Sequence, residues 1–353
     1  MNEESRDFLE ELLATPTPSG YEVPGQRRWI EHVEDHADEV RTDDYGNAVA
    51  VHEGADDAPS IAVAGHGDEI GFVVRRIDDE GFVHLGRIGG SDRTVSKGQH
   101  VRIHADDGAV EGVVGQTAIH LREGDEEYDD VAEQRVDIGA ADGEAAREIV
   151  EVGDPITIVS RIAQLQDTRI AARGLDNRVG TWVAAETFRR AADADVEATV
   201  YAVSTVQEEV GLRGAKMIGE ELAPDAVVAI DVTHATDYPD APGDKASDVE
   251  LGAGPVVGRG SANHPVLVEA VRDAADAADV DIQLAAAGIR TGTDADAFYT
   301  QAGGTPALNL GIPNRYMHTP VEVVDTDDLD AATELLTAAA EHTPDAAPFS
   351  VDL

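Results

Sequence analysis

The sequence predicts a three-layer α/β domain split by a β-rich insertion. Beyond about residue 163, apolar strand-like runs alternate with amphipathic helical stretches, the order that builds a sheet covered by helices on both faces. Between 72 and 162 the chain reads instead as short alternating strands bounded by Gly and Asp. The third observation is size: 353 residues, 42% of them apolar, can bury a large core. One domain is then discontinuous, over 1–71 and 163–353, with 72–162 inserted into it.

The elements follow in order. Phe8, Leu9, Leu12 and Leu13 form one stripe of a first helix over 4–13, stopped at Pro16 and Pro18. A second helix is expected over 23–36, then strands over 39–41, 48–51 and 61–65. The insertion gives strands over 72–76, 82–85, 100–104, 112–114 and 156–158, with one helix over 143–150. The final stretch reads as helix 179–192, strand 198–204, helix 212–220, strand 226–231 and strand 256–258. Helix 265–278, strand 281–284, helix 295–301, strand 307–310 and helix 327–342 complete it. Acidic stretches at 123–130 and 237–248 read as solvated loops, and there is no internal repeat.

Composition narrows the function. Acidic residues number 71 against 26 basic ones, a net charge of −45, and only Lys97, Lys216 and Lys245 are lysine. Such a surface repels nucleic acid and anionic lipid, so neither is an expected partner. Disorder is excluded by the periodic apolar runs. Acid excess with so little lysine reads as adaptation to a salt-rich cytoplasm: at about 1 M salt the Debye length is roughly 3 Å, and distant carboxylates hardly interact. There is no cysteine, which removes thiol nucleophiles, disulfides and Cys-ligated zinc. Neither a signal peptide nor a bilayer-spanning apolar run is seen, so a cytoplasmic protein is expected.

Five segments place imidazole or carboxylate where a strand ends or a helix opens, the edge at which open α/β sheets bind ligands. His66 follows the apolar run 61–64, and Asp68, two residues on, is placed to take its other ring N–H. Asp176 stands before a helix, as a ligand or an ordinary N-cap. Glu208 and Glu209 follow the strand over 198–204; one suits a metal and the other a proton. Asp231 terminates the run 226–230. His318 lies in a Pro-bracketed loop, 312–320, with Arg315 and Tyr316. Together, two histidines, three carboxylates and a spare glutamate match what two divalent cations sharing a bridging carboxylate require. Imidazole with carboxylate and no thiolate suits zinc, cobalt or manganese.

Other chemistries find less support. No G-x-S-x-G or P-loop occurs, and the glycines of 252–258 miss a dinucleotide fingerprint by one position. His84, His100, His104 and His120 lack a carboxylate pattern and read as surface or packing residues, as do His32, His36 and His342. A glycoside hydrolase using Glu208 or Glu209 is a rival, although Trp29 and Trp182 are few for a sugar cleft and lie in no candidate loop. A peptide-binding scaffold built on the insertion leaves the five segments unexplained.

The segments TPTPSGYE, GHGDEIGF, RGLDNRVG, TVQEEVGLRGA, AIDVTHATDYP, GSANHP, GTDADA and PNRYMHTPVE, in that order, closely resemble the metallopeptidases of family 42. These are the tetrahedral (TET) aminopeptidases and their glutamyl-aminopeptidase relatives. RVDIGA and VGDPITI in the insertion fit too, so the resemblance spans about residues 9–340. It implies an α/β/α catalytic domain of the zinc-dependent exopeptidase type whose β-rich insertion mediates dimerisation. It also implies homo-oligomers from dimer to dodecamer, acting on short peptides. Two divalent ions per subunit, zinc or cobalt, are implied: His66 and Asp231 on one, Glu209 and His318 on the other, and Asp176 bridging both. Glu208 is then the general base that deprotonates the bridging water, and Asp68 sits behind His66. A cis bond is expected at Asp176-Asn177. Gly67 departs from the family pattern, where methionine is common, so altered packing is expected there. A related metal-dependent deacylase or amidohydrolase is the alternative. Arg290 or Arg315 reaching inward would favour acidic first residues.

Overall fold

A computed structural model describes residues 1–122, 128–239, 241–242 and 248–353. Residues 123–127, 240 and 243–247, in the two expected acidic loops, lie outside the described residues. The chain opens with helices α1 (Glu3–Ala14) and α2 (Val23–Val33), then strands β1 (Glu39–Thr42), β2 (Ala48–His52) and β3 (Ser60–His66). Six strands follow: β4 (Gly71–Ile77), β5 (Val83–Ile88), β6 (His100–Ala105), β7 (Gly108–Val114), β8 (Arg135–Asp137) and β9 (Pro155–Ile158), with a short helix α3 (Gly143–Arg147) before the last. Strands β10 (Ala163–Gln164) and β11 (Arg169–Ala172) lead to helix α4 (Leu175–Asp193), β12 (Thr199–Thr205), α5 (Arg213–Leu222), β13 (Ala226–His234) and β14 (Val256–Arg259). Helix α6 (Pro265–Ala278), β15 (Gln283–Ala286), α7 (Ala295–Phe298), β16 (Ala307–Asn314), β17 (Glu322–Asp325) and α8 (Thr326–Ala346) complete the chain.

The main sheet has eight strands in the order β1-β2-β12-β3-β13-β16-β14-β15. Its four central strands, β12, β3, β13 and β16, are parallel. Alternation along them makes three layers. Ile61 and Val63 pack under α1, α2, α4, α6 and α8, around the fully buried Trp182. Ala62 and Ala64 face the opposite way, against Ala215, Ile218 and Leu222 of α5 and Phe298 of α7. Strands β4 to β9 close into a barrel in the order β4-β5-β8-β7-β6-β9, filled by Phe72, Val74, Leu85, Ile103 and Ile156. The small antiparallel sheet β10-β11-β17 ties the strand before α4 to the strand before α8.

Several expectations need correction. Strands β8, β10, β11 and β17 were not expected: runs of two to four residues carry too few alternations to read, and cross-chain pairing makes them strands. Asp231 does not terminate its strand. The ladder with β16 continues from Asp231↔Gly311 through His234↔Asn314, because β16 itself runs past residue 310. Residues 312–314 are therefore strand and not loop. Helix α4 begins four residues before the expected start, α7 is shorter, and β15 is shifted by two residues. The amides of Gly252 and Gly254 are held by Asp328 at 2.8 Å, so that glycine run packs against α8.

Glu186 of α4 is fully buried and joins three helices. It accepts from Ser5 (2.7 Å) and Arg189 (2.9 Å) and pairs with His32 at 2.8 Å, while the His32 ring stacks on Phe8. Burial would raise its carboxyl, but the hydrogen bonds from His32, Arg189 and Ser5 outweigh it and hold Glu186 down at about 2. A depressed carboxyl stabilises the fold above its unfolded value of about 4.5, and that contribution is lost as pH falls toward about 2. It amounts to about 3 kcal/mol. The stability gap between wild type and Glu186→Gln, measured by denaturant titration, is expected to shrink across that window. A gap independent of pH would refute the account.

Candidate active site

The C-terminal ends of the parallel strands meet at one edge of the sheet. His66 is the last residue of β3, Glu208 and Glu209 follow β12, Asp231 lies in β13, and His318 sits in the turn between β16 and β17. Asp176 reaches the same point from the start of α4, where the Asp176-Asn177 bond is cis. Asn177 fixes that turn by donating to the Ile230 carbonyl (2.7 Å) and accepting from Gly180 N–H (3.0 Å). All seven residues singled out in the sequence converge here. Asp176 is not a helix cap: its carboxylate is spent on the histidines.

The geometry divides the cluster in two. His66 Nε2 lies 3.3 Å from Asp176 Oδ1, 3.6 Å from Asp231 Oδ1 and 3.7 Å from Glu208 Oε2. His318 Nε2 lies 3.2 Å from Asp176 Oδ2 and 3.5 Å from Glu209 Oε1. The two oxygens of Asp176 thus face different histidines. Asp68, fully buried, is 3.3 Å from His66 Nδ1 and accepts from Ser19 Oγ (2.6 Å), Glu208 N–H (2.9 Å) and Glu209 N–H (3.2 Å). It orients the first histidine and both glutamates at once.

Three further contributors lie outside the seven residues singled out as ligands or proton carriers. Glu322 accepts the N–H of both Asp176 (3.1 Å) and His318 (2.9 Å), holding the two sides of the cluster. Asp294 accepts from Thr205 Oγ1 at 2.5 Å while its other oxygen is buried without a partner. Gly90, beyond β5, packs so closely that a Cβ there would lie 2.5 Å from His318 Nδ1, so the barrel side supplies a wall. The motifs quoted above contain Glu322 and Asp294, and only their long-range contacts reveal what they do. At Gly67 a Cβ would lie 3.1 Å from Ser204 Oγ and 3.2 Å from Gln26 Oε1. Those two side chains hydrogen-bond each other at 2.5 Å and occupy the space a larger residue would take. His84, read as lacking a carboxylate neighbour, pairs with Asp78 at 3.0 Å on the barrel.

Electrostatically the cluster is dominated by carboxylates. Burial pushes Glu208 up to about 10, with Asp231, Asp294 and Glu209 adding to it and His66 opposing. Burial and the Asp176 charge raise Glu209 well above the carboxylate range, and its Oε1 is buried with no hydrogen-bond partner. Burial lowers the proton affinity of His66, but Glu208 and Asp231 more than reverse this. Crowded, dehydrated carboxylates around imidazole are what divalent cations neutralise. Two overlapping triads, His66–Asp176–Glu209 and His66–Glu208–Asp231, each bring ligand atoms within 4.8 Å of one another. The donor set fits the metal chemistry read from the sequence.

The family model of the M42 glutamyl aminopeptidases matches residues 46–335. The chain belongs to that family. It is an aminopeptidase, a hydrolase of peptide bonds, and M42 members are metal-dependent peptidases. The lysyl aminopeptidase of Pyrococcus furiosus is 33% identical over 345 residues, covering 95% of this chain and 96% of its own. A TET aminopeptidase from a marine-sediment Thaumarchaeota archaeon superposes with a TM-score of 0.91 at 31% identity, covering 99% of this chain and all of that one. The TET1 peptidase of Pyrococcus horikoshii, which can assemble into a tetrahedron or a large octahedral shell, gives 0.85 at 30% identity over 95% of this chain and 99% of its own. In this M42 member Trp29 and Trp182 are fully buried, donating to the Thr181 and Ser5 carbonyls, so neither can stack a sugar. Arg315 does not reach the cluster as a free cation: Asp237 holds it at 2.6 and 2.7 Å. Arg290 is exposed on a loop. Among the described residues no helix is long and apolar enough to cross a membrane.

Proposed function

We propose that this M42 enzyme is a dinuclear metal-dependent aminopeptidase that trims short peptides from the N-terminus in a salt-rich cytoplasm. The observation that carries the dinuclear reading is Asp176, whose two oxygens face two different histidines. His66 and Asp231 would hold one cation and Glu209 and His318 the other, with Asp176 shared; zinc or cobalt suits these donors. What the cations supply when bound is Lewis-acid charge beside the scissile carbonyl.

The remaining chemistry belongs to the chain. Glu208 takes a proton from the attacking water and returns it to the leaving amine. Its Oε2 is the most distant of the three carboxylate oxygens around His66 Nε2, which suits a group that handles a proton beside the ions and does not hold one. Asp68 fixes the His66 ring and the backbone of Glu208. We assign 1–71 and 163–353 to the catalytic domain and the insertion 72–162 to contacts between subunits of a homo-oligomer.

The test is an aminoacyl-anilide panel, free and N-acetylated, in multi-molar potassium chloride, before and after chelation and re-addition of cobalt or zinc. Cleavage of free-amine substrates alone, lost on chelation and restored by metal, is the expected result. Cleavage of the blocked substrates would move the assignment to a deacylase. Indifference to chelation would remove the metal mechanism. With Arg315 neutralised by Asp237 and Arg290 on the surface, the panel is expected to show no preference for acidic first residues.

A further inference from the structure

Three consecutive backbone N–H groups leave the end of β12, and each meets a buried carboxylate. Glu208 N–H and Glu209 N–H go to the two oxygens of Asp68, at 2.9 and 3.2 Å. Gln207 N–H goes to Glu22 Oε1, at 3.1 Å. Gln207 adopts a left-handed backbone with φ of 55°, a conformation a non-glycine residue holds only when its surroundings fix it. Glu22 is 3% exposed and immediately precedes α2, yet its side chain does not cap that helix. The same Oε1 instead accepts Gly20 N–H at 2.7 Å. One helical turn on, Gln26 donates to the Ser204 carbonyl at 2.9 Å, so residues 22 and 26 both grip the end of β12.

We propose that Glu22 is a positioning residue for the reaction: by fixing the Gln207 N–H it sets the direction in which Glu208 leaves the strand. The inference rests on the general-base reading of Glu208. Asp68 takes the N–H groups of Glu208 and Glu209, and the Glu208 carbonyl accepts from Gly211 and Leu212 N–H at 2.8 Å, all downstream of the left-handed turn. At the turn itself Arg213 N–H donates to the Gln207 carbonyl at 3.2 Å, and Glu22 takes the Gln207 N–H. Burial pushes Glu22 up to about 7 against the Gly20 N–H. In either protonation state Oε1 still accepts both amides, so the role needs an acceptor and not a charge.

Glu22→Ala removes the acceptor, and Glu22→Gln keeps one of the same length. For Glu22→Ala, kcat is expected to fall about 10- to 100-fold with KM within about threefold, since a small misdirection of a reacting group costs that much. Metal content is expected to equal wild type. In the metal-free proteins, amide hydrogen exchange at 207–209 is expected to accelerate in Glu22→Ala, with α8 unchanged. Glu22→Gln is expected to restore both the exchange and most of kcat. If Glu22→Ala does not fold, Glu22→Asp serves: it keeps the charge, withdraws it by one methylene, and is expected to lose kcat as alanine would. Wild-type kcat in Glu22→Ala or Glu22→Asp, lost metal, or a Gln variant as slow as Ala would each overturn the assignment. Glu208→Gln, assayed in parallel, separates the two readings. If it is inactive while the Glu22 variants are at wild type, only the role of Glu22 falls; if it is active, the general base itself is misassigned.

Discussion

Glu208→Gln is expected to lower kcat by about 10³-fold, the middle of the range for loss of a general base, with both metals still bound. Glutamine keeps the size and hydrogen-bonding shape of the side chain but cannot carry a proton between water and amine. Of the three carboxylate oxygens around His66 Nε2, that of Glu208 stands farthest off, at 3.7 Å. Geometry by itself leaves Glu208 a second option, because it completes a triad with His66 and Asp231. Metal analysis of the purified variant decides between the two. Unchanged content with lost turnover makes Glu208 the proton carrier. Loss of one equivalent would make it a ligand and pass the proton to another group.

Asp176→Ala is expected to empty both positions and abolish measurable turnover. Each oxygen of Asp176 faces a separate histidine, so one truncation removes a donor from both halves together. What is left is His66 with Asp231 on one side and His318 with Glu209 on the other, too few donors to hold a cation against water. The expected readout is metal content after dialysis, with thermal unfolding as a second measure. Added zinc is expected to stabilise wild type by binding the folded state, and in Asp176→Ala that shift is expected to vanish. One cation retained per chain would show that Asp176 serves a single position; two would refute the shared-ligand reading altogether.

The local grammar of the sequence accounts for much of the site. His66 and the Glu208-Glu209 pair are legible because parallel strands in an open sheet end in loops, and an apolar run breaking into imidazole or carboxylate marks such an end. The alternation that hides Ile61 and Val63 on one face and Ala62 and Ala64 on the other is written in the strand itself. Asp231 was placed in the right region for an inexact reason. A charged residue after an apolar run looks like a terminus, yet the strand continues because β16 supplies the hydrogen bonds alongside it. Glu322 could not be assigned from its own neighbourhood, since the amide it holds at Asp176 is 146 residues away.

The sequence by itself determined the alternation of layers, the acid excess, the absence of thiol chemistry and the imidazole and carboxylate residues that gather at the strand ends. Those are properties of composition and of patterns a few residues long. Only the tertiary structure decided which oxygen of Asp176 meets which histidine, that the barrel side presents Gly90 to His318, and that Glu22 grips the turn before Glu208. These depend on strand order and on contacts across more than a hundred residues. There a displacement of about an ångström separates a hydrogen bond from none, and no local pattern in the chain encodes a distance that fine.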